Sequence, residues 1–513
     1  MGIGYDPPRA RSSIVLNSCV SYSELVALYW DEKEPHRIVL GTKFDSKLHV
    51  KTAITMWSLW QEKQFKVVES KLRRWHAVCK FPAGTTATGI GIISTTDAEK
   101  ARECHRANRD HANFSSAMIA LCIRHHVRQC ADFKVFSIIA DIQDRFGVSI
   151  SYKKAWYAKR KAIEFVYGGW EESFRQLPSY MFELQSQNPG TIVEWKHNEL
   201  LSQRRTNVFN YVFWAFGPAI HAFQKAAPVL TIDGTHLRGR FKGKLLVACG
   251  FDANKTCLPI AYAVVDEETN DSWSWFLDHV RTHVVKYERE VCIISDRHKG
   301  IFKAMESAIM TRAPQIHHKF CLVHVRANVL KKHKGPSVKA KIWKLGVSTQ
   351  VRKFDRRSRA LSDVSRGAMR MLDRITKERW SLCYDGGLRW GVATTNMSEC
   401  YNNVLRGVRE LPIRALVDLT FWRTVKWWVQ KKTKIEHTEG ELTPWARDML
   451  AKNDSKGRKH YITVIDRDIG KYHVRTRGRI ENGVSKGNNV QIVKERLTRE
   501  GMALRLNIVD VCF

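Results

Sequence analysis

The sequence predicts an α/β protein: a mixed-sheet core with a helical insertion, preceded by a small α+β module and a helical region. Three observations carry that prediction. Between residues 226 and 333, short apolar runs of strand length alternate with segments of helical period. Between 112 and 168 the apolar residues recur at helical spacing throughout. Between 334 and 390 a basic, helix-prone stretch interrupts the strand pattern, which is completed over 391–450.

Taken in order, residues 1–40, with Pro7-Pro8 and several serines, read as a loosely ordered tail. Residues 41–110 read as the α+β module. Phe44, Leu48, Ala53, Met56 and Trp60 recur at near-helical spacing behind Asp45-Ser46, a plausible cap. Extended segments follow at 64–68, 75–79 and 89–93. In the helical region, 111–225, an amphipathic helix over Phe133–Phe146 stops at Gly147, and Ser149 or Ser151 can cap a second helix, Tyr152–Val166. Helix, glycine turn, basic helix is the shape of a helix-turn-helix, with Lys153, Lys154, Lys159, Arg160 and Lys161 as candidate phosphate contacts. An ordinary helical hairpin with a solvated basic face accounts for the same pattern.

The core then reads strand (229–233), strand (245–251), strand (260–266), helix (272–285), strand (291–296), helix (300–309), strand (319–323) and helix (324–332). The loop Leu237–Lys244 joins the first two strands as a hairpin. A three-strand meander followed by alternating helices and strands is the order of a ribonuclease-H-like mixed sheet. Asp385-Gly-Gly387 closes the insertion before a polar helix that carries Glu399.

Charge narrows the function. With 85 Lys and Arg against 51 Asp and Glu, the 513-residue chain has a formal net charge of +34, far more than solubility needs. Such an excess neutralises a polyanion, and nucleic acid is the commonest one. The 12 cysteines are scattered without a C-x-x-C pair, which is the reduced pattern of an intracellular protein. No apolar run approaches a membrane span, and the N-terminus lacks the apolar core of a secretory signal. A nuclear protein with no membrane partner is expected. Trp273, Trp275, Phe421, Trp422, Trp427 and Trp428 are read as core packing in preference to base stacking.

The chemistry is expected from three acids. Asp233 ends the apolar run Val229-Leu-Thr-Ile, and Asp296 ends Val291-Cys-Ile-Ile-Ser. A buried strand whose last residue is a carboxylate delivers that charge to the rim of the sheet. If the two strands are neighbours, the carboxylates lie side by side and repel, and a divalent metal is the usual remedy. With Glu399 they can form an all-oxygen cage for Mg2+ or Mn2+, in a two-ion site with metals about 3.5–4 Å apart. Arg297, His298 and Lys299, just after the second acid, are candidates to neutralise phosphates.

Four motifs, Asp233-Gly-Thr-His-Leu-Arg-Gly239, Ser295-Asp-Arg-His-Lys-Gly300, Phe320-Cys-Leu-Val-His324 and Thr394-Thr-Asn-Met-Ser-Glu399, closely resemble the Mutator-like (MULE, MuDR-type) transposases of plants. That family includes the domesticated far-red-response regulators. The resemblance runs from about Phe44 to Arg496. It implies a DDE-type catalytic core in which Asp233, Asp296 and Glu399 match the three metal-binding acids. It also implies DNA partners (transposon terminal repeats and target DNA) and a homo-oligomer. The acids are 63 and 103 residues apart, leaving room for the family's helical insertion. Cys321 and His324 match its C-x-x-H signature and are read as support near the active site, not as metal ligands.

The chain departs from the family twice. The N-terminal module is similar to a WRKY/GCM-like zinc finger, but Cys79 is followed by Lys-Phe-Pro-Ala-Gly-Thr without the second cysteine, and Cys104 is preceded by Arg102-Glu103, with arginine at 102 where the histidine belongs. Zinc is not expected there, although Lys71, Arg73, Arg74 and Lys80 could hold phosphates. Residues 451–513 lead toward a SWIM zinc finger that is missing, since no C-x-C follows Arg496. The expected function is DNA strand cleavage and transfer by a Mutator-like DDE transposase. The alternative is a domesticated or inactive relative retained as a DNA-binding transcriptional regulator.

Overall fold

The computed structural model describes residues 46–60, 64–70, 75–79, 113–198, 208–438, 440–458, 460–466, 471–476, 479–481, 484–486 and 490–494, with single positions 38, 42 and 44. The chain divides into two units, 1–169 and 170–513. The expected strand at 89–93 and the residues Lys71, Arg73, Arg74, Lys80 and Cys104 lie outside the described residues, as does everything after Lys494.

In the first unit, α1 (Lys47–Trp60) precedes a hairpin of β1 (Phe65–Ser70) and β2 (Trp75–Cys79). Three helices follow: α2 (Ser116–Gln129), α3 (Val135–Phe146) and α4 (Tyr152–Tyr167). Helix α3 ends at Gly147, whose φ of 66° is the left-handed turn that glycine accepts without steric cost. Ser151, not Ser149, caps α4 by accepting a hydrogen bond from Lys154 N. The buried stripe of α4 is Ala155, Ala158, Lys159, Ala162 and Ile163, one face at helical spacing. Lys159 falls on that stripe and is 7% exposed, so it is not part of the basic surface expected of it. Lys153 and Lys161 are exposed.

The second unit opens with α5 (Trp170–Gln187) and holds a seven-stranded mixed sheet. Its strands are β3 (Ile192–His197), β4 (Phe209–Ala215), β5 (Val229–His236), β6 (Lys244–Phe251), β7 (Cys257–Val265), β8 (Val291–Ser295) and β9 (Ile316–Phe320), in the spatial order β3-β4-β7-β6-β5-β8-β9. The five from β3 to β5 in that order pair antiparallel; β5-β8 and β8-β9 pair parallel. The span 111–225, expected to be one helical region, therefore contains two strands, and its second half lies with the sheet. The local reason is burial. Tyr211–Ala215 is buried at every residue, the signature of a central strand and not of an amphipathic one.

Helix α6 (Gly217–Lys225) joins β4 to β5. After β7 the chain forms α7 (Asn270–His279), which runs into a π-helical turn at Val280–Val285, so the expected helix 272–285 is not α-helical to its end. Helices α8 (Lys299–Met305) and α9 (Ala308–Thr311) lead to β9, and α10 (Leu322–Leu330) follows it. Strand β9 ends at Phe320, three residues before the expected end, so Cys321 is the N-cap of α10 and not a strand residue.

Apolar faces on both sides of the sheet make two cores. On one side Phe213, Leu230, Ile232 and Leu246 pack with Trp273, Phe276 and Val280. On the other, Val212, Trp214, Val247 and Tyr262 meet Leu177 and Met181 of α5 and, further on, Tyr401, Leu405 and Leu416. Each such fully buried aliphatic or aromatic side chain contributes about 1.5–3 kcal/mol. Gly300 lets α8 approach α7: a Cβ there would lie 2.7 Å from Thr269 O and 2.9 Å from Trp273 Cδ1.

The insertion is helical as expected: α11 (Pro336–Gly346), α12 (Val351–Val364) and α13 (Arg366–Asp373). It has an apolar core of its own against α10, with Ile342, Leu345, Phe354, Leu361 and Leu372 among its members. It leaves and rejoins the sheet at one place. Leu322 N donates to Ala393 O at 2.9 Å, and the fully buried Arg389 donates to Phe320 O at 3.0 Å.

Helix α14 (Asn396–Val404) carries Glu399, and the 24-residue α15 (Ile413–Glu436) and α16 (Pro444–Gly457) follow. Trp273 is core, and Trp275, Phe421, Trp427 and Trp428 pack against the cores, but Trp422 is 57% exposed and is not the core residue expected. Beyond α16, β10 (His460–Asp466), β11 (Lys471–Thr476) and β14 (Val490–Lys494) form a three-stranded sheet, with a hairpin of β12 (Arg479–Glu481) and β13 (Val484–Lys486). No helix among the described residues is long and apolar enough to cross a membrane.

Candidate active site

Strand register brings the first two acids together. In the parallel pair Val229 faces Cys292, Leu230 faces Ile293 and Thr231 faces Ile294, a constant offset of 63 residues. Asp233 and Asp296 are separated by the same 63 residues, so each stands two positions past the last matched pair. The two strands do not end alike. Strand β8 stops at Ser295, immediately before Asp296, whereas β5 continues to His236 in antiparallel pairing with β6. Asp233 is therefore not the last residue of its strand, contrary to the expected strand 229–233; it lies where β5 has lost its parallel neighbour and keeps only β6.

The third acid comes from α14, seated on the sheet by two contacts. The buried Tyr262 and Tyr401 hydroxyls are 2.7 Å apart, and Asn402 Nδ2 donates to Asp233 Oδ2 at 2.7 Å. Glu399 is one turn before Asn402, hence on the same face of the helix. Its Oε1 accepts from Thr395 Oγ1 at 3.0 Å and lies 3.8 Å from His324 Nδ1. Cys321 adjoins it: Cys321 N donates to Ser295 O at 2.8 Å, fixing α10 to the end of β8, and Thr395 N donates to Cys321 Sγ at 3.3 Å.

Glu399, Cys321 and His324 have ligand atoms all within 4.8 Å of one another, close enough to share an ion. The aspartates do not join Glu399 at that separation. They act on the same groups through charge. Burial pushes Asp233 up to about 6, with the negative charges of Glu399 and Asp296 adding to the rise; the Asn402 hydrogen bond and His324 oppose it. His324 is raised to about 9, first by its hydrogen bond with Cys321 and then by the charges of Cys321, Glu399 and Asp296, against the effect of burial. Burial raises the Cys321 thiol, but its bonds with His324 and Thr395 outweigh this and hold it below its usual value.

Two polar atoms at the site are buried without a hydrogen bond: His324 Nδ1, which has only the Glu399 carboxylate at 3.8 Å, and Asn402 Oδ1. Orphaned polar atoms beside clustered carboxylates are what a site for an ion and its ordered water leaves behind. Carboxylate oxygens are the donors a hard divalent cation takes, and of the three acids only Glu399 lies in a group whose donor atoms are all within 4.8 Å of one another among the described residues.

The neighbouring cations divide by role. Arg297 and Lys299 are exposed, Arg297 with its guanidinium 5.7 Å from the Phe320 ring. His298 is committed internally, since its Nδ1 accepts from Gly300 N at 3.2 Å as the cap of α8, while its own N–H donates to Asp296 Oδ1 at 3.0 Å. His298 thus caps α8. Sequence reasoning missed Asn402 and Thr395. Both lie within the polar helix around Glu399, and Asn402 is three residues from it. Its partner, however, is 169 residues away, so nothing local marks it.

Residues 229–328, roughly a fifth of the chain, match the family model of the MULE transposase domain. The match spans Asp233, Asp296, Cys321 and His324 and supports kinship with Mutator-like transposases. No curated protein matches the chain.

Proposed function

We propose that the protein is a Mutator-like DDE transposase with a ribonuclease-H-like core, which binds DNA and catalyses metal-dependent strand cleavage and transfer. The strand order β7-β6-β5-β8-β9, a meander continued by two parallel strands, supports that core. The observation that carries the reading is the common 63-residue offset: Asp233 and Asp296 each stand two positions beyond the last matched pair of β5 and β8. In the same proposal the chain acts in the nucleus as a homo-oligomer, and its relatives include the plant elements and far-red-response regulators.

Asp233, Asp296 and Glu399 would hold Mg2+ or Mn2+. Such ions would supply Lewis-acid chemistry there, for activation of water or a 3′-hydroxyl and stabilisation of the leaving oxygen. The chain's own residues prepare the site. Asn402 fixes one Asp233 oxygen and favours its ionised form. His324, kept protonated up to about 9, offsets the acids' repulsion while Glu399 is turned toward it. Arg297 and Lys299 stand beside the second acid, positioned to take up DNA phosphates. A transposase domain implies DNA as partner, and the net charge of +34 supplies the attraction.

The test is nicking of supercoiled plasmid by the purified chain in Mn2+, with Asp296→Asn as control. Metal-dependent nicking lost in the variant supports the reading. Equal silence of both proteins, with DNA binding retained, would assign the regulator instead.

A further inference from the structure

Glu194, His279 and His283 form a second donor cluster, remote from the acids. Glu194 lies on edge strand β3, where its partner across the pair is Phe213. His279 ends α7, and His283 lies four residues on, inside the π-helical turn. The ligand atoms of all three are within 4.8 Å of one another. His283 Nε2 is 3.2 Å from Glu194 Oε1, and the two imidazoles are nearly parallel, 12° apart with centroids at 5.7 Å. The order β3-β4-β7-β6-β5 puts four inter-strand steps, about 19 Å, between Glu194's strand and that of Asp233. This is too far to belong to a two-ion centre whose metals are about 4 Å apart.

The scaffold around the cluster is rigid. Arg281, between the two histidines, is fully buried on the other side of the turn and donates to Arg312 O at 3.0 Å and Pro314 O at 2.8 Å. The His279 ring is held edge-on to Trp275 at 4.6 Å and packs against Phe213 at 5.4 Å. Single π turns inside α-helices are rare and occur frequently at functional sites. Glu194 and His283 remain accessible, with side chains 38% and 24% exposed.

We propose that Glu194, His279 and His283 bind a zinc ion, or another divalent ion of similar softness, as a three-ligand site with an open fourth position. Two imidazoles and a carboxylate are a donor set zinc accepts, and nitrogen donors exclude Mg2+ as the resident ion. Tetrahedral zinc with bonds of about 2.0–2.1 Å holds its donors roughly 3.3 Å apart. The three donor atoms, all within 4.8 Å of one another, have to close by at most about 1.5 Å to reach that spacing. A metal there clips edge strand β3 to the helix layer, protecting an edge that is otherwise free to pair with another chain.

The test is calorimetric titration of Zn2+ into the full chain carrying Asp296→Asn and Cys321→Ser, with excess Mg2+ to suppress binding by the remaining carboxylates. One equivalent of Zn2+ is expected to bind. His283→Ala or His279→Ala in that background should weaken it by about a hundredfold or more, and the shape-conserving Glu194→Gln by about tenfold. Zn2+ should also raise the melting temperature of the background chain and not of the histidine variants. Retained zinc affinity in the His279→Ala/His283→Ala double variant would overturn the proposal, as would failure of the chain with all three residues intact to bind zinc. Because the readout is metal binding and not DNA cleavage, it stands or falls apart from the proposed transposase activity.

Discussion

The parallel end of the sheet and its antiparallel edge use the same kind of strand for different ends. Strands β5, β8 and β9 run in one direction, and β8 is buried at every residue. Parallel neighbours head for the same rim, so residues just beyond a common register approach one another there even though β5 runs on past the end of β8. That is how Asp233 and Asp296 converge. At the other end β3 and β4 run in opposite directions, and β3 is half-buried at every residue. What it offers is a face, with Glu194 paired with His283 and Lys196 with Asp271 of α7. The difference teaches that the candidate chemistry depends on register at one end of the sheet, while the other end depends on side-chain pairs with the helix above it.

The sharpest way to break this contrast is to remove an acid at the parallel end. Asp233→Asn or Asp296→Asn should reduce Mn2+-dependent nicking by about a thousandfold, the loss of several kcal/mol of charge stabilisation, with DNA binding unchanged in a filter assay. An effect of less than tenfold would mean that register has not built a catalytic site.

A smaller effect sharpens the point through pH. Folded Asp233 holds its proton up to about 6, above the usual carboxylate value of 3.8. Between these values the folded chain binds more protons than the unfolded one, so stability is present at low pH and is lost as pH rises through about 6. The contribution is about 2–3 kcal/mol, and Asp233→Asn should abolish it. The comparison is the difference in urea midpoints between pH 4.5 and pH 7, wild type against variant, in chelator.

Next in size is packing at the same end. Gly300→Ala should cost about 1–3 kcal/mol in chemical denaturation, because the clash is with the Thr269 carbonyl, which cannot swing aside. At the antiparallel edge, Lys196→Ala removes an ion pair with Asp271, 2.6 Å long but with the aspartate 65% exposed. Solvent screening limits the loss to about 0.5 kcal/mol, with nicking unaffected.

The two ends also differ in what their residues disclose. Val229–Ile232 and Val291–Ile294 are continuous apolar runs because both faces of their strands are covered, and such runs stand out in a sequence. Ile192–His197 mixes Glu, Trp, Lys and His because its strand is an edge with a wet rim, and it carries no clear period. Tyr211–Ala215 is apolar enough to be recognised, but one of its two neighbours in the sheet comes from about 50 residues further on and the other is the edge strand without a clear period. The acids were legible because each closes a strand-like run or sits in a polar helix. Asn402 was not, since its partner comes from a distant segment, whereas the cap formed by His298 is local, between residues two apart. Lys159 shows the same limit: a basic run looks like a surface until helical spacing assigns one member to the interior.

The insertion's single point of departure and return has a consequence for how this protein can change. A segment whose two ends are stapled together at Leu322 and Arg389, with its own apolar interior, behaves as a plug-in cassette. Glu399 takes its position from Tyr401 and Asn402 on the sheet side of that junction. The cassette can therefore grow, shrink or be exchanged over generations at the modest entropic expense of a longer loop, while the third acid stays where it is.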